Sequence, residues 1–322
     1  MNLLPSAKTK NAKRNGTQTN KLLLQIFRDR QLYLLLIPFL LYYILFVFRP
    51  MGGMVIAFKD YGLYKGIAGS RWVGLKHFRE FFQSEFFGRT LKNTLFISLY
   101  QLLFGFPLPI ILALLLNEVS SKKYKSVVQT FSYIPYFVST VVIAGMVTLF
   151  LSPSNGVVNI ILSKLGFDKI YFLTKPEYFR SIYTITNIWV GLGYNSIVYI
   201  SALSGVDQEL YEAAKIDGAG KLKQIWYISL PSIKPMIIIM TILKIGKIFY
   251  GDFGLFYNFT LNSSLLYSTT DIIDTYVYRS LITLGDVGMS SAAGFYQAVL
   301  GFILVITTNF IVNKIDSDNA LF

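Results

Sequence analysis

The sequence predicts an all-α membrane protein with six transmembrane helices. Three observations lead there. The 322 residues are 53% hydrophobic and 16% aromatic, and their mean hydropathy of +0.51 is too high for a soluble domain of this length. The apolar residues are gathered into six runs, each near the roughly 20 residues that cross a bilayer as a helix. The basic residues stand between those runs, outside their apolar centres.

The runs follow in order. Gln31 to Phe48 carries no charge and lies between Arg30 and Arg49. The first apolar run is too long and too bulky at its end for a cleaved leader, so it is expected to stay as an anchor. Asn93 to Asn117 is the second, and Ser126 to Leu151 the third, closed by Pro153 and the turn from Ser152 to Gly156. Ser181 to Val206 is the fourth. The fifth extends from Ile228 to Tyr250 and is interrupted by Lys234, Lys244 and Lys247; the sixth is Ala292 to Asn313, closed by Lys314. Residues 1–30 form a basic tail, and residues 31–322 one transmembrane domain whose inner loop occupies 207–231.

Topology follows from charge. The tail holds Lys8, Lys10, Lys13, Arg14, Lys21, Arg28 and Arg30, and the short loop after the second helix holds Lys122, Lys123 and Lys125. Both are expected in the cytoplasm, and an even helix count puts the C-terminus and loop 207–231 there too. The excess of 30 Lys and Arg over 17 Asp and Glu, a net +13, is thus read as topology and contact with anionic lipid rather than nucleic-acid binding. Outside, Arg71 to Arg89 mixes aromatics with charges in the manner of an interfacial helix. Asp271 to Ile282 is expected as a short outer helix capped by Thr269 or Thr270.

Several chemistries are excluded or disfavoured. The absence of cysteine removes disulfides, thiol catalysis and zinc-thiolate sites. No phosphate loop of the form GxxxxGK[ST] occurs, so nucleotide hydrolysis must come from another chain. The uncharged helix cores contain no Asp or Glu, which disfavours an ion-coupled secondary carrier. His77, the single histidine, sits among aromatics where packing or hydrogen bonding suits it better than catalysis. No catalytic or metal site is expected, nor a convergent cluster for a membrane enzyme.

The informative segment is ELYEAAKIDGAGKLKQIWYISLP, Glu209 to Pro231. Gln208 to Asp217 favours a helix, and Gly218 stands where one would end and turn back. Glu212 offers an acidic contact beside the small Ala213 and Ala214, with Leu210, Tyr211 and Ala214 as an apolar face. Taken as composition alone, the segment would favour an ordinary amphipathic inner loop. The spacing of Glu212-Ala213-Ala214, Gly218, Ile228 and Leu230-Pro231, however, resembles without a gap the EAA signature of membrane subunits of bacterial binding-protein-dependent ABC importers. Trp72-Val73-Gly74-Leu75-Lys76-His77-Phe78 and Lys92-Asn93-Thr94 are similar to the sugar-importing group, and Tyr267 to Arg279 (YSTTDIIDTYVYR) to its oligosaccharide and polysaccharide branch.

That resemblance implies an ABC type I importer permease fold in the bacterial plasma membrane. It also implies a coupling helix seated on an ATPase, with Glu209, Glu212, Ala213, Ala214, Asp217 and Gly218 as the coupling residues. The implied partners are a homologous second permease subunit, two ABC ATPase subunits that handle ATP and Mg2+, and an extracytoplasmic sugar-binding protein. The cargo would be an oligosaccharide; another solute for the same type of machine remains the alternative. No cofactor is expected on this chain.

For the path itself, sugar rings call for aromatic faces beside amides and hydroxyls. Trp189, Tyr194, Asn195 and Tyr199 in the fourth helix, and Tyr296 and Gln297 in the sixth, are the candidates, with interfacial aromatic belts as the other explanation. Lys244 and Lys247 share one helix face well into the fifth run. At that depth an ammonium raises a substrate role, favouring carboxylate-bearing sugars. Snorkelling to the outer surface and pairing with Asp252 are the alternatives.

Overall fold

The computed structural model describes residues 28–321, so most of the basic tail lies outside the described residues. The chain is helical apart from a two-residue antiparallel ladder, β1 (Lys59–Asp60) with β2 (Arg71–Trp72), in the register Lys59 to Trp72 and Asp60 to Arg71. Among the described residues three helices are long and apolar enough to cross a membrane, and up to five if each of two bent pairs counts as one span. The three are α1 (Arg30–Phe58), α3 (Glu85–Asn117) and α13 (Val287–Ile315); α2 (Lys76–Gln83) precedes α3.

The first bent pair is α4 (Lys122–Phe137) with α5 (Thr140–Leu151), meeting at 101° where one continuous third run was expected. The cause is local. Pro135 tightens the end of α4 into a 3-10 turn, Val138 is extended, and Ser139 starts a new helix by accepting a hydrogen bond from the Val142 amide at 3.4 Å. A short helix, α6 (Val157–Lys164), leads to α7 (Pro176–Ser204). This 29-residue helix is about 43 Å long, with its proline at the first turn, where the missing amide costs nothing. Its polar residues keep it out of the strongly apolar set.

The inner loop forms α8 (Gln208–Ile216). The second bent pair follows, α9 (Lys221–Ser232) with α10 (Lys234–Gly246), crossing at 61°. Pro235 cannot donate to the carbonyl of Pro231, and the fully buried Ile233 fills the bend. α10 ends at Gly246, so the expected fifth span to Tyr250 is cut short and Lys247 becomes its C-cap. The chain then turns into α11 (Phe253–Thr260) and α12 (Ile273–Ile282) before α13.

Burial follows helical periodicity on α3, where Thr90, Asn93, Thr94 and Ile97 are buried in one half and Pro109, Ile110, Ala113 and Leu116 in the other. One core, on the side of the 207–231 loop, joins Ile110 and Ala113 to Tyr199, Leu203 and Ile233. The other, at the opposite half, joins Ile97, Ile143, Phe179 and Tyr183 to Leu255, Phe256, Phe259 and Ile272. Small residues permit the closest approaches: a Cβ on Gly193 would collide with the Ser132 carbonyl, so α7 and α4 approach backbone to backbone there. α1, by contrast, buries only Ala57; a helix apolar on every side belongs in lipid or against another subunit.

Two expectations for the outer segments are corrected. Arg71 to Arg89 is not a free interfacial helix: His77, Phe78 and Phe81 are buried against the chain itself, and His77 Nε2 lies 3.1 Å from the Lys59 carbonyl oxygen. Thr269 and Thr270 do not cap α12; they belong to a preceding helical turn, Tyr267–Thr270. The Ile272 amide donates instead to Thr275 Oγ1 at 3.1 Å.

Candidate functional site: coupling loop and cavity walls

The inner loop has the local structure its sequence dictates. Asp207 caps α8 by accepting from the Glu209 amide at 3.0 Å. At the other end Asp217 is the C-cap and Gly218 adopts φ +76°, a left-handed conformation that favours glycine. The Ala219 amide donates to the Ala214 carbonyl at 2.8 Å and the Gly218 amide to that of Lys215 at 3.0 Å, the paired bonds of a Schellman stop. Glu209, Glu212, Ala213, Asp217 and Gly218 are exposed and Ala214 half-buried, while Tyr211 turns inward. The loop thus presents an acidic, small-residue surface to the outside and keeps one aromatic anchor inside.

Two polar ties connect this loop to the spans and a third joins two spans to each other, none of them expected from sequence. The Tyr211 hydroxyl and Ser229 Oγ are 2.9 Å apart and buried, fastening α8 to α9. Lys221 donates to the Glu118 carbonyl at 3.0 Å, with the Glu118 carboxylate at 3.7 Å, joining α9 to the end of α3. Lys234 pairs with Asp316 at 2.6 Å, joining α10 to the end of α13. Lys234 also holds the Asp316 carboxyl below the usual carboxylate range, helped by Asn319.

Two cavities lie along α3, α7 and α10. One, of about 230 Å³, is bounded by Ser98, Gln101, Tyr183, Asn187, Lys244 and Lys247, with Asp252 on its wall. The other, of about 270 Å³, is bounded by Gly105, Pro109, Asn195, Tyr199, Lys244 and Lys247. Four of the expected path residues, Asn195, Tyr199, Lys244 and Lys247, are therefore brought together. The remaining four are not. Trp189 lines a separate apolar groove with Phe150 and Ile185. Tyr194 stacks on Tyr136 with centroids 3.7 Å apart. Tyr296 is packed among Phe81, Phe82 and Phe87, and buried Gln297 donates to the Phe249 carbonyl and to Asp274. Tyr296 and Gln297 thus serve packing in this structure. The pairing considered for Asp252 is also absent: its carboxylate caps α11 through the Leu255 amide at 3.1 Å.

Gln101 and Asn187 escaped the sequence reading. The available signal was an amide amid apolar neighbours, which hydropathy averages away. Gln101 opens a π-helical turn, Gln101–Gly105, inside α3, a distortion often found at functional positions.

The segment from Tyr267 to Arg279 forms a polar lock at the end remote from the 207–231 loop. The fully buried Asp271 carboxylate accepts from Arg89 at 2.6 Å and from Arg279 at 2.9 Å. Asn93 donates to the Asp271 carbonyl at 3.2 Å and accepts from Arg180 at 2.8 Å. The Arg279 guanidinium lies 4.6 Å from the Tyr267 ring centroid. α3, α7 and α12 are thereby held in one arrangement.

Comparison with known proteins agrees with this architecture. Residues 105–317 match the family model described as "Binding-protein-dependent transport system inner membrane component". Protein LplB of Bacillus subtilis (strain 168) is 43% identical over 291 residues, covering 90% of this chain and 91% of LplB. The polygalacturonan/rhamnogalacturonan transport system permease protein YteP of the same organism is 42% identical over 294 residues, covering 91% of each. A chain in the crystal structure of a bacterial alginate ABC transporter, in complex with alginate pentasaccharide-bound periplasmic protein, superposes with a TM-score of 0.82. It is 42% identical, with 90% of this chain and 96% of that chain covered. The chain therefore belongs to the binding-protein-dependent transport system inner membrane components: it is a multi-pass membrane permease subunit of an ABC importer.

Proposed function

We propose that this subunit imports oligosaccharides by forming half of a path with a homologous second permease, driven through its inner loop by two ATPase subunits. In this reading the bent pairs and α7 complete six crossings, with both termini and the 207–231 loop in the cytoplasm. An extracytoplasmic sugar-binding protein delivers the cargo, and ATP and Mg2+ act on the partner ATPases. The relatives' stated cargoes, polygalacturonan and rhamnogalacturonan for YteP and alginate for the solved transporter, support the substrate class.

The observation that carries the coupling role is the exposed α8 with its acidic and small side chains, closed by Gly218 and fastened to α9 by a buried hydrogen bond. A push on α8 reaches α9 through Tyr211 and Ser229, passes from α9 to α3 through Lys221 and Glu118, and from the adjoining α10 to α13 through Lys234 and Asp316. α3 lines both cavities, so its displacement changes their walls. Packed elements with two discrete arrangements transmit such motion.

Glu212 is exposed and its carboxylate forms no ion pair among the described residues, so Glu212→Lys should leave the protein inserted and folded while abolishing ATP-driven oligosaccharide uptake. Normal uptake by that variant would refute the coupling assignment. Uptake persisting without ATP would instead point to an ion-coupled carrier.

A further inference from the structure

Lys244 and Lys247 each border both cavities, so the lysine pair is the wall that the two spaces share. Among the described residues neither ammonium has a carboxylate within ion-pairing distance. Gln101 lines the first cavity with both lysines; its residue is 8% exposed, and its Nε2, itself without accessible surface, has no hydrogen-bond partner. A buried donor left unpaired costs stability, and the residue that carries it borders a cavity. The same helix carries Gly105 on the wall of the second cavity, and α7 contributes Asn187 to the first and Asn195 to the second. The spaces are thus consecutive stations along α3 and α7, with the lysines at the junction.

The two ammonium groups can only donate, and an anionic oxygen group satisfies both together and offsets their charge; the Asp252 carboxylate on the first cavity's wall is engaged by the Leu255 amide. Hydroxyls of a neutral sugar would accept these bonds but would leave both charges uncompensated. The helix C-terminus beside Lys244 offers a modest favourable field, which explains tolerance of the charges.

We infer that Gln101, Lys244 and Lys247 form a binding site for the carboxylate of an acidic sugar unit in transit, handing it between the two cavities. This rests on the reading of the chain as an oligosaccharide importer and assigns the residues that read charge within it. Selection for uronate-bearing chains would then act inside the membrane as well as at the external binding protein.

The test uses the complete reconstituted transporter and measures ATP-dependent uptake of a short oligogalacturonate. Lys244→Gln with Lys247→Gln should lower uptake by about tenfold to a hundredfold, the span expected when charge-assisted hydrogen bonds are lost. Lys244→Arg with Lys247→Arg should retain most of it. Gln101→Leu should also lower uptake, yet leave thermal stability unchanged or raised because it removes an unsatisfied donor. Wild-type uptake by the double Gln variant, or equal loss in the double Arg variant, would overturn the site. Gln101→Leu with unchanged uptake, or with lowered stability, would remove Gln101 from it. Wild-type transporter that imports no oligosaccharide, acidic or neutral, while still hydrolysing ATP would overturn the substrate reading instead.

Discussion

Asp271→Asn should destabilise the protein strongly without touching the cavities. The side chain is wholly inaccessible, and it is the shared acceptor for Arg89 and Arg279, whose side chains are 35% and 12% exposed. Asparagine keeps the volume and removes the charge, leaving two guanidinium groups facing a neutral amide. Breaking a buried ion pair from one side costs about 3–5 kcal/mol. Arg89 can recover part of its solvation, which argues for the lower end, about 3 kcal/mol. For a chain of this size that corresponds to a fall of roughly 6–12 °C in melting temperature. The assay is thermal unfolding of the detergent-solubilised protein, with Asp60→Asn as an exposed control. A melting temperature within about 2 °C of that control would refute the argument that this triad holds α3 and α12 together.

Gly193→Ala should separate α7 from α4, since the new Cβ would collide with the Ser132 carbonyl oxygen; a loss of about 1–3 kcal/mol is expected in the same thermal assay. Gly218→Val forces a branched side chain into φ +76°, straining the Schellman stop by at least about 1–2 kcal/mol. Pull-down of the ATPase and uptake should both fall while membrane insertion is kept, and normal uptake would contradict the proposed role. The Lys234 bond depresses the Asp316 carboxyl, so the clasp contributes fully above the unfolded carboxylate range and is lost only as pH falls through the depressed value. Limited proteolysis of the C-terminal tail should therefore be unchanged from neutral pH down to about pH 5, whereas Asp316→Asn should accelerate it across that whole range.

Much of the site was legible because it is written in short-range chemistry. α8 starts at an aspartate cap and stops at a glycine with positive φ, and each end is decided by residues a few positions apart. The spans were legible because hydropathy is local, but their breaks were less so. Val138 and Ile233 are ordinary apolar residues, and the neighbouring prolines permit a bend without setting its 101° or 61°. The aromatics of the outer loop illustrate the limit: Phe78 and Phe81 have the composition of an interfacial helix, yet α12 and α13 supply a protein surface to cover them.

The sequence by itself determined a multi-helix membrane subunit, the helix of its 207–231 loop, the residues that begin and end that helix, and the presence of two lysines within an apolar run. Tertiary structure alone decided that Tyr296, Gln297 and Trp189 stand apart from Asn195 and Tyr199, and that Gln101 lines one cavity with the lysines. It also decided that Asp271 takes Arg89 as its partner, 182 residues away along the chain. Helix propensity, capping and hydropathy act over a few residues and can be read along the chain. Cavity walls and buried ion pairs are made by side chains from distant helices, whose relative placement is fixed only when close-packed interfaces such as that at Gly193 are formed.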